Sequence, residues 1–302
     1  MKNLFKSQRG STIVIFSLLA VIIIGFTSLV TDIGMVAVYK AKLTHAVDSA
    51  ALAGAQELIY NDYPVHIKVD EYLSENGFPD HSAEIDTDSN SVRVTAFHRV
   101  EYKLARLLGY TSKEIHATAK AKVLPVIGVN QGIRPFAIEA FDFEFGETYV
   151  LKQGGGSGNS GNYGAVELGG RGAQIYFQNI VEGYNDRLMV GDYINTEPGN
   201  MSGPTENGIN HLISQCNHIP KCTHSSFDPD CPRIITVIIV DNMNVNGRSS
   251  VQIIGFASFF LEGVAGSGNK SEVTGRFIRT VTSGENGDFN QDFGLYGVKL
   301  VE

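Results

Sequence analysis

The residues best suited to chemistry lie close together late in the chain: Cys216, Cys222 and Cys231, with His211, His218 and His224 among them. Thiolates and imidazoles bind soft metals, form disulfides or act as nucleophiles, and spacing selects between these uses. Cys-x5-Cys followed by Cys-x8-Cys departs from the paired two-residue spacings of zinc modules, so the sequence assigns no metal here. A disulfide between two of Cys216, Cys222 and Cys231 is expected instead, closing a loop that holds Pro220, Pro229 and Pro232 and leaving the third thiol unexplained. A Cys/His nucleophile needs an aligned base, and no protease signature surrounds these cysteines. Gly-x-Ser-x-Gly and His-Glu-x-x-His are both absent from the sequence. Asp288, Asn290 and Asp292 space their oxygens like the start of a calcium loop. Phe293 stands where that loop needs Gly, however, and Lys299 where it needs Glu. Asp86, Asp88 and Asn90 do no better. The run Gly154-Gly155-Gly156-Ser157-Gly158 lacks the Gly-Lys-Ser/Thr of a phosphate loop and reads as a flexible connection. No catalytic, cofactor or metal residue is expected, and the chain reads as non-enzymatic.

The elements that must position these side chains begin with a long apolar one. Of 302 residues, 24 are Lys or Arg and 32 are Asp or Glu, a net charge of -8 that offers no basic surface to nucleic acid. The acidic residues all lie at or after Asp32, whereas Lys2, Lys6 and Arg9 crowd the first nine positions. Between them, Ser11 to Thr31 carries no charge. As a helix it would reach about 31 Å, roughly one hydrocarbon core. It is longer than the apolar region of a cleaved secretory signal, and the sequence after it goes on reading as helix, so an uncleaved anchor is expected. The positive-inside rule keeps residues 1–10 in the cytoplasm and places everything from Asp32 onward outside, as a single-pass cell-membrane protein in contact with lipid.

The helical spacing continues through Val36, Leu43, Val47, Ala50, Gly54 and Leu58, which predicts a stalk over 32–61 that stops near Asn61 and Pro64. Ala46, Ala50 and Gly54 form one row of small side chains, and Ala51 and Ala55 another. Such rows let a helix dock closely on another, in the same protein or a neighbour, and Ala is also simply the best helix former.

At this point the chain resembles the TadE/TadG-like proteins of tight-adherence (Flp) pilus machinery. The resemblance is carried by Gln8-Arg9-Gly10, the apolar span, Val30-Thr31-Asp32-Ile33-Gly34 and the Ala-rich stretch Leu43 to Ala55, with Asp48 as its internal Asp. Weaker pieces continue it to Pro125: Tyr72-Leu73, Asn76-Gly77, Val92 to Ala96, Leu107-Leu108-Gly109 and Ala117 to Ala121. The resemblance implies partners among pilus-assembly proteins or pilins, self-association as a further option, and a processing position at Gly10 and Ser11. Processed minor pilins of this machinery carry Glu at the fifth residue after the cleavage Gly, where this chain has Ile15, so the pattern is closer to TadG. TadG-like proteins often carry a von Willebrand A domain with Asp-x-Ser-x-Ser after a buried strand. Here Asp241 is followed by Met243 and Val245, neither of which supplies an oxygen ligand, so that domain is not expected.

The expected fold class is α+β, with an anchor over 11–31, the stalk, a small helix-and-strand module over 62–124 and a mainly antiparallel β domain over 125–302 with one or two helices. In the module, Val65, Val69, Tyr72 and Leu73 predict a helix and Val92, Val94 and Ala96 a strand. A short helix near 102–108 and a strand over 115–123 complete it. In the outer domain, Phe141, Phe143 and Phe145 alternate with acidic residues and predict a half-exposed strand. Helical faces are expected at Phe177, Ile180, Val181 and Tyr184, and at Ile209, Leu212, Ile213 and Cys216. Ile234 to Val240 and Val251 to Leu261 predict strands joined by a two-residue hairpin turn at Asn246-Gly247, and 275–281 and 295–301 the last strands. The functional expectation is a membrane component of a tight-adherence pilus or secretion apparatus. A surface adhesin or carbohydrate-binding module on the same anchor is the alternative.

Overall fold

The computed structural model describes residues 9–61, 63–153, 164–265, 272–287 and 291–301. The chain is α+β and divides into two compact units, one of residues 1–57, 62–122 and 300–302 and the other of 58–61 and 123–299. The glycine run at 154–158, and Asp288 and Asn290 of the calcium-like loop, lie outside the described residues.

The first unit is built on α1 (Arg9–Tyr60), a helix of 52 residues that reaches about 78 Å. Its first half is bare: Ile13, Phe16, Val21, Ile24 and Phe26 are all more than half exposed, and burial begins only at Ser28 and Asp32. Beyond Leu43 one face is fully buried. Helix α2 (Val65–Glu75) follows a sharp turn in which Glu57 accepts the Tyr63 N–H at 3.1 Å, and it buries Val69 and Leu73, two members of the predicted periodic set. Strands β1 (Ser82–Asp88), β2 (Ser91–Glu101) and the first part of β3 (Ser112–Val129) form an antiparallel meander. Val92, Val94 and Ala96 point to its buried face, as their alternation requires. The short helix between β2 and β3 is a single 3₁₀ turn, Ala105–Leu108.

In the second unit, β4 (Ile133–Glu139) starts a sheet ordered β4-β9-β10-β11-β5, where β5 is Thr148–Lys152, β9 Ile234–Val240, β10 Ser250–Ala265 and β11 Glu272–Ile278. Among the described residues of this sheet, the β4–β9 pair is parallel and β9–β10, β10–β11 and β11–β5 are antiparallel. Short strands β6 (Val166–Glu167) and β8 (Tyr193–Thr196) extend it from the start of β10, and shifts of register after Ile253 and Leu261 curl β10. The remainder of β3 pairs with β7 (Leu188–Met189) and β13 (Glu285–Asn286), while β12 (Thr280–Val281) runs parallel to β14 (Leu295–Leu300). Helices α3 (Ala173–Val181) and α4 (Ser202–Ser214) supply Tyr176, Ile180, Ile209 and Leu212 to a core with Phe136, Phe259 and Phe277. Ile235, Val237 and Ile239 of β9 join that core and Ile238 and Val240 a second one, so the strand is covered on both faces and its apolar run is unbroken.

Three sequence expectations change here. Residues 141–145 are not a strand: the Glu144 N–H bonds the Tyr149 hydroxyl rather than a neighbouring backbone, and the rings gather on Phe277, with Phe143 stacked at 3.9 Å. Their alternation records an aromatic cluster. β9 and β10 do pair antiparallel, but through a loop over 241–249 rather than a two-residue turn. That loop is anchored at its start, where Asp241 accepts the Gln252 N–H and Glu139 accepts the Met243 N–H, both at 3.0 Å. Finally, α3 buries Tyr176, Asn179 and Ile180, leaves Phe177 37 % exposed and ends before Tyr184, because the Asn179 amide bonds the Leu168 carbonyl and so turns that side inward.

Candidate functional site

Ahead of its buried face, α1 is tied to the rest of its unit by one carboxylate. Asp32 accepts backbone N–H bonds from Lys103 (2.9 Å), Leu104 (3.1 Å) and Ala105 (2.6 Å), the residues that open the 3₁₀ turn. A helical turn starts with unsatisfied amides, and Asp is the residue that normally caps them from the chain just before. Here the cap comes from another helix more than seventy residues earlier. Asp32 is 2 % exposed, so the contact closes over it. Further along, Tyr39 stacks on His98 of β2 at 5.8 Å, and a Cβ on Gly54 would lie 3.5 Å from Val92. From Tyr39 to Gly54 α1 rises about 22 Å, and from His98 to Val92 β2 covers about 20 Å. The two lengths match, so β2 lies along the helix from the small-residue face to the Asp32 clasp.

That small-residue face is turned into the unit. Ala46, Ala50, Ala51 and Ala55 are 1 % exposed or less, and a Cβ on Gly54 would stand 2.9 Å from Val69 Cγ2 and 3.3 Å from Val65 Cγ1. The close approach that small residues permit is therefore made to α2 and β2 of the same chain. Gly10 and Ser11 fall in the first turns of α1. Gly34 is different: a Cβ there would meet nothing within 4 Å.

The cysteines gather in the second unit. Cys216 follows α4, Cys231 precedes β9 and Cys222 lies in the loop between; all three are free thiols, 5 %, 5 % and 2 % exposed for Cys216, Cys222 and Cys231. Cys216 and Cys231 bring their sulfurs to 3.5 Å, and His218 Nδ1 lies 3.8 Å from Cys216 Sγ. The hydrogen bond from His218 pulls the Cys216 thiol down to about 6, while burial pushes Cys231 up to about 12. The same bond to Cys216 holds His218 above its ordinary value. Phe227, Ile234, Phe260 and Ile278 wall the group. His211 and His224 stay outside it, whereas Asp228, which spacing did not single out, sits 3.6 Å from His218 Nε2. Asp292 of the calcium-like loop accepts the Gly294 N–H and the Tyr296 hydroxyl and pairs with Arg279.

Residues 10–57 match the family model described as putative Flp pilus-assembly TadE/G-like. The matched stretch is α1 from its first turn to Glu57, including Asp32 and the buried small-residue face. This is a TadE/G-like pilus-assembly region. The description of that family concerns the assembly of Flp pili, and the match covers 48 of the 302 residues. α1 is also long and apolar enough to cross a membrane. The matched TadE/G-like stretch ends before the second unit begins. No curated protein and no solved structure matches the chain.

Proposed function

We propose that the protein is a single-pass membrane component of a tight-adherence (Flp) pilus assembly or secretion apparatus, acting as an assembly factor or minor-pilin-like subunit without enzymatic activity. The observation that carries the reading is the TadE/G-like match over residues 10–57, on a helix whose apolar half is bare. Lys2, Lys6 and Arg9 before the span and Asp32 after it support a cytoplasmic N-terminus with both compact units outside. The small residues of α1 are occupied by their own chain, so contact with pilus partners falls to the bare half of the helix and to the outer surface of the second unit. Self-association uses the same surfaces.

Intact-mass and crosslinking mass spectrometry on protein taken from native membranes tests this. An unprocessed N-terminus crosslinked to pilus-assembly components supports an assembly factor, and a mass beginning at Ser11 with recovery in sheared pili supports a minor pilin. A deletion strain with normal pilus number and adhesion would sink both.

A further inference from the structure

We propose that Cys216, His218, Cys222 and Cys231 form a structural zinc site of the Cys3His type. One donor atom from each residue converges so that all four lie within 4.8 Å of one another. Zinc takes thiolate sulfur at about 2.3 Å and imidazole nitrogen at about 2.0–2.1 Å in a tetrahedron, whose edges are then about 3.8 Å between sulfurs and about 3.6 Å from sulfur to nitrogen. Two of the separations are 3.5 Å for Cys216 to Cys231 and 3.8 Å for Cys216 to His218 Nδ1. A metal fits between these donors with small adjustments of side chains.

The surroundings match what such an ion needs. His218 turns Nδ1 toward the sulfurs and Nε2 toward Asp228, 3.6 Å away, the arrangement in which a carboxylate orients a ligating imidazole. Asp228 also donates its backbone N–H to Cys222 Sγ at 3.5 Å, and so touches two of the four donors. Arg233 donates to the Cys222 carbonyl at 3.0 Å and to the Leu261 carbonyl at 2.9 Å, with its guanidinium over Phe260. Its positive charge offsets the single negative charge left by three thiolates and a dication. Four protein donors leave no open coordination position, and the thiols are buried, so the site is structural rather than catalytic. Soft sulfur donors favour zinc over magnesium or calcium.

Stoichiometry separates this from the competing disulfide. A disulfide uses two of the three sulfurs and leaves a thiol and an imidazole packed against it with no role. The metal uses all four groups. It also gives 215–233 a centre, because this stretch between α4 and β9 has no helix and only the Thr223–Ser226 bridge.

The test is metal analysis of the full-length chain, extracted in detergent without chelator, together with intact mass and a thiol count after denaturation. About one zinc per chain is expected, with all three thiols reactive once chelator is added. Cys222→Ser and His218→Ala should each lose the metal, and His211→Ala, outside the cluster, should keep it. Should the Ser variant fail to fold, the wild-type chain refolded with Co2+ should show the sulfur-to-cobalt charge-transfer band and tetrahedral visible bands. A metal-free chain, whether its mass is lower by two hydrogens or it has three free thiols, overturns the proposal. So does zinc that survives both Cys222→Ser and His218→Ala.

Discussion

Ala105 donates its backbone N–H to Asp32 Oδ2 at 2.6 Å, the shortest of the bonds that tie the 3₁₀ turn to α1. A carboxylate shared by three successive amides is the strongest kind of backbone cap, because each bond is charge-assisted. The Asp of the family pattern thus acts mechanically, holding the loop between β2 and β3 against α1 where the helix leaves its bare segment.

Replacing Asp32 should release that loop before anything else. In Asp32→Ala the amides of Lys103, Leu104 and Ala105 lose their acceptor, and in Asp32→Asn they keep one neutral oxygen. Hydrogen exchange of the full chain in detergent should speed up at 103–105 in the order wild type, Asn, Ala, with α2 and β1 unaffected. Unchanged exchange at these amides in Asp32→Ala would show that the clasp does not form.

Two glycines of α1 should respond in opposite directions. Gly54→Ala places a methyl 2.9 Å from Val69 and 3.3 Å from Val65, both β-branched and slow to yield. The helix-propensity gain of about 1 kcal/mol is then outweighed by overpacking of about 1–3 kcal/mol. Gly34→Ala meets no atom within 4 Å and should keep that gain. Thermal unfolding of the two variants in detergent reads the difference, which disappears if the stalk face is turned to a partner instead of to α2.

The elements whose side chains answer to one period were legible in the sequence. Val69 and Leu73 marked α2, Val92 to Ala96 marked β2, and the apolar run of Ile234 to Val240 marked a strand covered on both faces. What stayed hidden depended on partners far along the chain. Phe141 and Phe143 pack on Phe277 and Phe145 on Phe143, and no local rule separates that alternation from a pleated strand. The amides facing Asp32 carry no side-chain signal at all. At the cysteines the spacing did not reveal that the loop over 215–233 folds so that donor atoms of Cys216, His218, Cys222 and Cys231 lie within 4.8 Å of one another. The visible sign was the Cys-Asn-His triplet at 216–218, with Asp228 as its second half.

A pH response should come from Lys152. Its side chain is fully buried on β5, with Nζ 3.2 Å from the Asn200 side-chain oxygen, and burial lowers its pKa from 10.5 to about 8. Between those values the unfolded chain binds the proton and the folded one does not, so stability rises with pH across this window. Below pH 8 both states are protonated and the cost of burying the charge is felt in full; above 10.5 it is gone. Allowing for partial solvent screening, the gain across the window is on the order of 2 kcal/mol. Lys152→Met removes the titrating group while keeping the length of the side chain. Denaturant unfolding of the full chain at intervals from pH 7 to about 10 should show the wild type gaining stability relative to the variant as pH rises, the other titrating groups being common to both. Parallel curves for the two proteins would mean that the Lys152 ammonium is solvated in the folded state.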